Sequence, residues 1–202
     1  MRDIWFGDHR DLVKWSVLFR LAERYECDRI LQIAYYRTEK FGGIQIAGEE
    51  SDLPKEVTDF FRRIRNIEGI KSGPKISVFA NLLEDRETYR KEVIAFLGRF
   101  PQEGCVVFLD PDTGLKPETG HGGLEHVSEE DAQAIFGKLK PNDVFVLYQH
   151  QDNRKGEEWI DRKRKQLAKT LGLENGDVKF AYGPKIAGDV ALYFVPPSKQ
   201  TP

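Results

Sequence analysis

The chain has 202 residues, 40% hydrophobic and 32% charged, with a formal net charge of −2. That length suffices for a full apolar core in one α/β domain over residues 1–202, and the small charge excludes an overall basic field that would draw nucleic acid. Cys27 and Cys105 form no Cys-x-x-Cys pair, which argues against structural zinc and against a disulfide scaffold. No apolar run nears the roughly 20 residues of a membrane span and no secretion signal opens the chain, so a cytoplasmic protein is expected.

Val13, Val17, Leu18, Leu21 and Tyr25 recur at helical spacing and predict a helix over 12–25, with Asp11 as its N-cap. Residues 29–36 (RILQIAYY) read as a strand. Residues 37–51, where Gly42, Gly43 and Gly48 surround Ile44 and Ile46, read as a loop or small hairpin. Pro54 opens a second helix with the stripe Val57, Phe60, Phe61, Ile64 and Ile67. Residues 69–74 break it, 75–80 form a strand, and a helix over 87–100 ends at Pro101.

The stretch Gly104-Cys105-Val106-Val107-Phe108-Leu109-Asp110-Pro111-Asp112-Thr113-Gly114-Leu115 says most about function. Its apolar run reads as a buried strand, and Asp-Pro-Asp-Thr-Gly stops it at once. In open α/β sheets ligands sit just beyond the carboxyl ends of the strands, so two carboxylates land where chemistry is done. A glycine-rich loop follows through Gly123. Ser128 then caps a helix whose first turn carries Glu129, Glu130 and Asp131. Residues 143–149 form another buried strand and 156–171 a long helix. Two strands, 178–182 and 190–195, close the chain around Gly183 to Gly188. Alternating strands and helices followed by a strand pair predict a three-layer α/β sandwich. Its sheet is mostly parallel and Rossmann-like, with an antiparallel C-terminal strand.

This arrangement resembles the S-adenosylmethionine-dependent methyltransferases. Gly7-Asp8-His9-Arg10-Asp11-Leu12-Val13-Lys14-Trp15 is similar to the Asn-x-x-Asp-x-x-Lys-His segment of bacterial ribosomal-RNA adenine-N6 methyltransferases. Asp110-Pro111-Asp112-Thr113 falls where those enzymes carry Asp-Pro-Pro-Tyr or Asp-Pro-Pro-Phe. The resemblance implies that Asp110 accepts a proton from an exocyclic amine, that Asp8 and Lys14 belong to the site, and that S-adenosylmethionine is the cofactor. Four features depart from that family, two of them being Asp112 in place of the second proline and no aromatic after Thr113. Ile33-Ala34-Tyr35-Tyr36-Arg37 replaces its glycine-rich turn, and one βα unit fewer precedes Asp110.

Asp110, Asp112 and His150 are the candidate catalytic residues; Asp8, Lys14, Thr113, Gln149 and His121 are the candidate substrate or cofactor contacts. If the strand of Tyr148-Gln149-His150 neighbours that of Asp110, the carboxylates and the imidazole meet. They would then serve acid–base chemistry or bind Mg²⁺ or Mn²⁺. His121-Gly122-Gly123-Leu124-Glu125-His126 reads as a surface loop or a lid over that site. Arg62, Arg63, Arg65, Lys71 and Lys75 form one basic cluster; Arg154, Lys155, Arg162, Lys163, Arg164, Lys165 and Lys169 form another. Each is either a phosphate-binding surface or a solvated helix face. The first functional expectation is a methyltransferase-like enzyme acting on nucleic acid or a nucleotide-like substrate. The alternatives are a metal-dependent nuclease or phosphohydrolase built on Asp110, Asp112 and His150, and a non-catalytic binding protein.

Overall fold

In the computed structural model, residues 7–37, 44–52, 54, 64–118, 122–152 and 159–197 are described. A six-stranded sheet runs in the order β4-β1-β5-β8-β10-β9. Its strands are β1 (Arg29–Ile33), β4 (Lys75–Phe79), β5 (Cys105–Leu109), β8 (Val144–His150), β9 (Lys179–Gly183) and β10 (Ala187–Val195). The pairs β1–β4, β1–β5 and β5–β8 are parallel. β10 enters antiparallel to both β8 and β9, as the short Gly183 turn predicts.

The pleat sorts the apolar residues onto two faces. On one, Ile30, Val106, Phe108, Val146 and Leu192 pack beneath α1 (His9–Arg24) through Val13, Leu18 and Leu21. On the other, Leu31, Val107, Leu109, Phe145 and Tyr193 meet α2 (Arg86–Leu97), α3 (Glu129–Phe136) and α4 (Trp159–Leu171). The sandwich therefore has its three expected layers. Among the described residues no helix is long and apolar enough to cross a membrane.

Several boundaries differ from the sequence expectation. Asp8, not Asp11, is the N-cap of α1: its carboxylate accepts from the backbone N–H groups of Arg10 (2.9 Å) and Asp11 (3.0 Å). β1 stops at Ile33 because Tyr35 adopts φ +47°, which no strand continues through. The glycine-bearing segment after it contains a small hairpin, β2 (Ile44–Ile46) with β3 (Glu49–Ser51), turned by Ala47 and Gly48 at φ +53° and +90°. Of the helix expected from Pro54, residues 55–63 lie outside the described residues, and the rest is a 3-10 turn, Ile64–Gly69. The loop after β5 carries a short parallel pair, β6 (Gly114–Leu115) with β7 (His126–Val127).

One sheet edge is closed by side chains. The Val78 N–H of edge strand β4 donates to Glu68 (2.7 Å), and its carbonyl accepts from Arg65 (3.2 Å). Exposed strand edges template association, and this plug blocks one. Glu68→Ala is expected to lower stability by about 1 kcal/mol. It should also speed hydrogen exchange at the Val78 amide relative to its β4 neighbours; an unchanged rate there would contradict the plug.

Candidate active site at the strand ends

The chain leaves β1 towards β4 and leaves β5 towards β8, so the carboxyl ends of β1 and β5 flank the point where the strand order reverses. Ligands of doubly wound sheets bind at that crevice. One βα unit, β4 with its connections, separates β1 from β5, as the sequence indicated.

At this point a buried charge cluster joins two distant stretches. Asp110, the first residue past β5, is 1% exposed and Lys14 of α1 is 4% exposed. The Lys14 ammonium lies 3.2 and 3.3 Å from the two Asp110 oxygens and 2.6 Å from Asp11. It also sits 5.0 Å above the centre of the Tyr148 ring. Gln32, near the end of β1, donates to Asp110 at 2.7 Å. The Gln32 Oε1 atom is buried and has no hydrogen-bond partner among the described residues.

Burial pushes the Asp110 carboxyl above its ordinary pKa, against the pull of Lys14. Burial works the other way on Lys14, but Asp110 and Asp11 outweigh it and hold the ammonium protonated. Among the described residues Lys14 is shared by the Asp11 and Asp110 carboxylates, and burial makes Asp110 the group readied to take up a proton.

The fold is methyltransferase-like. The strand order, with the last strand inserted against the parallel direction, decides it. No protein-family model matches the chain, and no curated protein matches it. Two solved structures align with it. Human methyltransferase-like protein 13 in complex with SAH is 17% identical, with a TM-score of 0.42, covering 96% of this chain and 83% of that one. A Thermobifida fusca protein provisionally described as a methyltransferase is 10% identical, with a TM-score of 0.42, covering 94% and 80%.

On the methyltransferase-like sheet the other expected site residues separate. Asp112 pairs with Arg37, whose guanidinium also lies 3.7 Å from Glu125. β8 does neighbour β5, but Leu109 aligns with Leu147, so His150 stands two residues beyond the level of Asp110, roughly 6–7 Å along the strand. The His150 ring reaches Asp189 instead (3.1 Å), and Asp189 also binds Arg10 at 2.6 Å. Asp110, Asp112 and His150 are thus held by different partners. Among the described residues no group of three His, Cys, Asp or Glu side chains is arranged to hold a metal ion.

Gln149 and Thr113 brace the loop after β5. The Gln149 amide nitrogen donates to the carbonyls of Thr113 (3.0 Å) and His150 (2.8 Å), and its oxygen accepts from Leu115 N–H (2.9 Å). The Thr113 hydroxyl contacts the Glu125 carbonyl (2.8 Å) and His126 Nδ1 (2.6 Å). His121 lies outside the described residues. The segment following it is fastened rather than free-standing: Arg86 donates to the carbonyls of Gly123 (2.6 Å) and His126 (3.0 Å) and pairs with Asp131 (2.8 Å). Asp8 serves α1 as its cap.

The basic clusters also change character. Arg162 pairs with Asp152, Arg164 pairs with Asp161 at 2.9 Å, and Lys163 is buried. Arg65 closes the β4 edge. Arg62, Arg63, Arg154 and Lys155 fall outside the described residues. Sequence reasoning missed Gln32, Arg37, Arg10 and Asp189; only Gln32, a lone amide in an apolar strand, carried a signal.

Proposed function

We propose that the chain is an S-adenosylmethionine-dependent methyltransferase-like enzyme of the cytoplasm, acting on a nucleic acid or a nucleotide-like substrate. The Lys14–Asp110 pair carries this reading: the two stretches singled out by resemblance, 96 residues apart, meet at the point where the strand order reverses. The turn after β1 has no glycine, and the conformation a glycine would adopt there falls to a tyrosine. Tyr35 takes the left-handed conformation itself, and its ring packs on Tyr89 across the sheet from Lys14. Burial holds the Cys27 thiol up to about 11 and the Cys105 thiol up to about 12, which suits a reducing compartment.

Bound S-adenosylmethionine would supply an electrophilic methyl group. Asp110 would accept the proton of the substrate amine, and Lys14 would fix the carboxylate and hold it against α1. Gln32 would present Oε1 to a donor on the ligand. A second reading, a non-catalytic binding protein, draws on the same burial: Asp110 is enclosed and fully engaged.

Calorimetric titration with S-adenosylhomocysteine tests both. Binding by the wild-type protein and by Asp110→Asn, with methyl transfer to RNA oligonucleotides lost at least about a hundredfold in the variant, is expected for the enzyme. Binding without transfer by either protein fits the second reading. A folded wild-type protein that binds neither S-adenosylhomocysteine nor S-adenosylmethionine would end the first.

A further inference from the structure

We infer that β9 is the contact surface of a symmetric homodimer, in which β9 pairs antiparallel with β9 of a second copy to join the two sheets. The sheet has two edges, and the chain treats them differently. β4 is plugged at Val78 by Glu68 and Arg65. β9 has β10 on one side, and among the described residues nothing bonds to its backbone on the other. A soluble protein blunts or covers its strand edges, so an open edge beside a plugged one marks a place for a partner strand.

The exposed side chains agree. Six large apolar residues are exposed among those described, and three of them, Phe180 (37%), Tyr182 (45%) and Ile186 (56%), belong to β9 and its turn. The Phe180 and Tyr182 rings lie side by side with centroids 6.0 Å apart, and the Arg164 guanidinium sits 5.8 Å from the Phe180 centroid. Both rings are on the α4 side of the sheet, since Phe180 aligns with Tyr193.

The sequence Lys179-Phe180-Ala181-Tyr182-Gly183 chooses the occupant because it complements itself. Centred on Ala181, a two-fold axis places Phe180 opposite Tyr182 of the other copy, twice over. Each Lys179 then faces a Gly183 rather than a second lysine. Cross-strand aromatic pairs stabilise and directly opposed like charges destabilise, so this register gains the former without the latter. A nucleic-acid strand stacking on the same rings is the competing occupant.

Sedimentation velocity of the full chain over about 1–100 μM separates these. The expected species has twice the 23.3 kDa chain mass. The double variant F180K/Y182K sets lysine against lysine across the axis and should be monomeric, with a dissociation constant raised at least about tenfold. The variant F180K/Y182E sets lysine against glutamate and should restore the dimer at low salt. Circular dichroism should show both variants folded, because the two side chains are already exposed. A wild-type monomer throughout the range overturns the proposal, and so does a dimer that survives F180K/Y182K. Single-stranded RNA binding by a wild-type monomer, weakened when both rings are removed in F180A/Y182A, would assign the rings to nucleic acid instead.

Discussion

Lys14→Met should lower the stability of the folded protein by about 3–5 kcal/mol at pH 7, because it strands Asp11 and Asp110 together without their cation. For a chain of this length that is a drop of the order of 10 °C in melting temperature. The loss should depend on pH, with a sign that the geometry fixes. Burial already raises the folded-state pKa of Asp110, so its protonated form is the one the fold favours. Such a group adds stability that is present below its unfolded pKa, roughly 4, and lost as pH rises through the folded value. Removing Lys14 removes the main pull in the opposite direction and widens that window upward. The melting gap between variant and wild type should therefore narrow as pH falls from 7 towards 5. A gap that stays constant with pH, or no gap, would show that Lys14 does not neutralise the cluster.

Gly114→Ala should cost about 3–5 kcal/mol, from two sources. Gly114 has φ +115°, a backbone conformation worth about 1–3 kcal/mol of strain to any residue with a side chain. A Cβ at this position would come within 2.3 Å of Gln149 Oε1. The amide end of a glutamine ordinarily moves aside at little cost. Here it is buried, and moving would abandon Leu115 N–H and the Thr113 carbonyl, about 1–3 kcal/mol more. Chemical denaturation of Gly114→Ala, Gln149→Ala and the double variant checks the second source. The double variant should be more stable than the sum of the two single losses implies. Strict additivity would leave backbone strain as the whole effect.

The sheet was legible in the sequence because its strands are short apolar runs bounded by turn residues, as in Cys105 to Leu109 before Asp-Pro-Asp. The cap of α1 was misplaced because an acid directly before an apolar stripe is the usual signal. Asp11 gives that signal, yet it sits inside the first turn and binds Lys14. Lysines on helices are ordinarily solvated, so nothing in the local pattern betrayed that Lys14 is buried or that its partner lies after β5. His150 was drawn towards Asp110 by strand adjacency alone. Register, which a single sequence does not reveal, puts Tyr148 at that level instead. In the basic run on α4, Arg162 and Arg164 pair with Asp152 and Asp161, partners that the spacing of the run does not reveal.

The Lys14–Asp110 contact also sets an order of events during synthesis. Helix α1 leaves the ribosome well before β5, and the carboxylate that completes its buried ion pair is made 96 residues after Lys14. At 5–20 residues per second that interval is roughly 5–20 s. Until β5 emerges, docking α1 would bury Lys14 without the Asp110 carboxylate, so the helix has reason to remain unseated and wetted. Helix α1 is thus made long before β5, yet the charge at its buried face holds back its locking until that strand is in place.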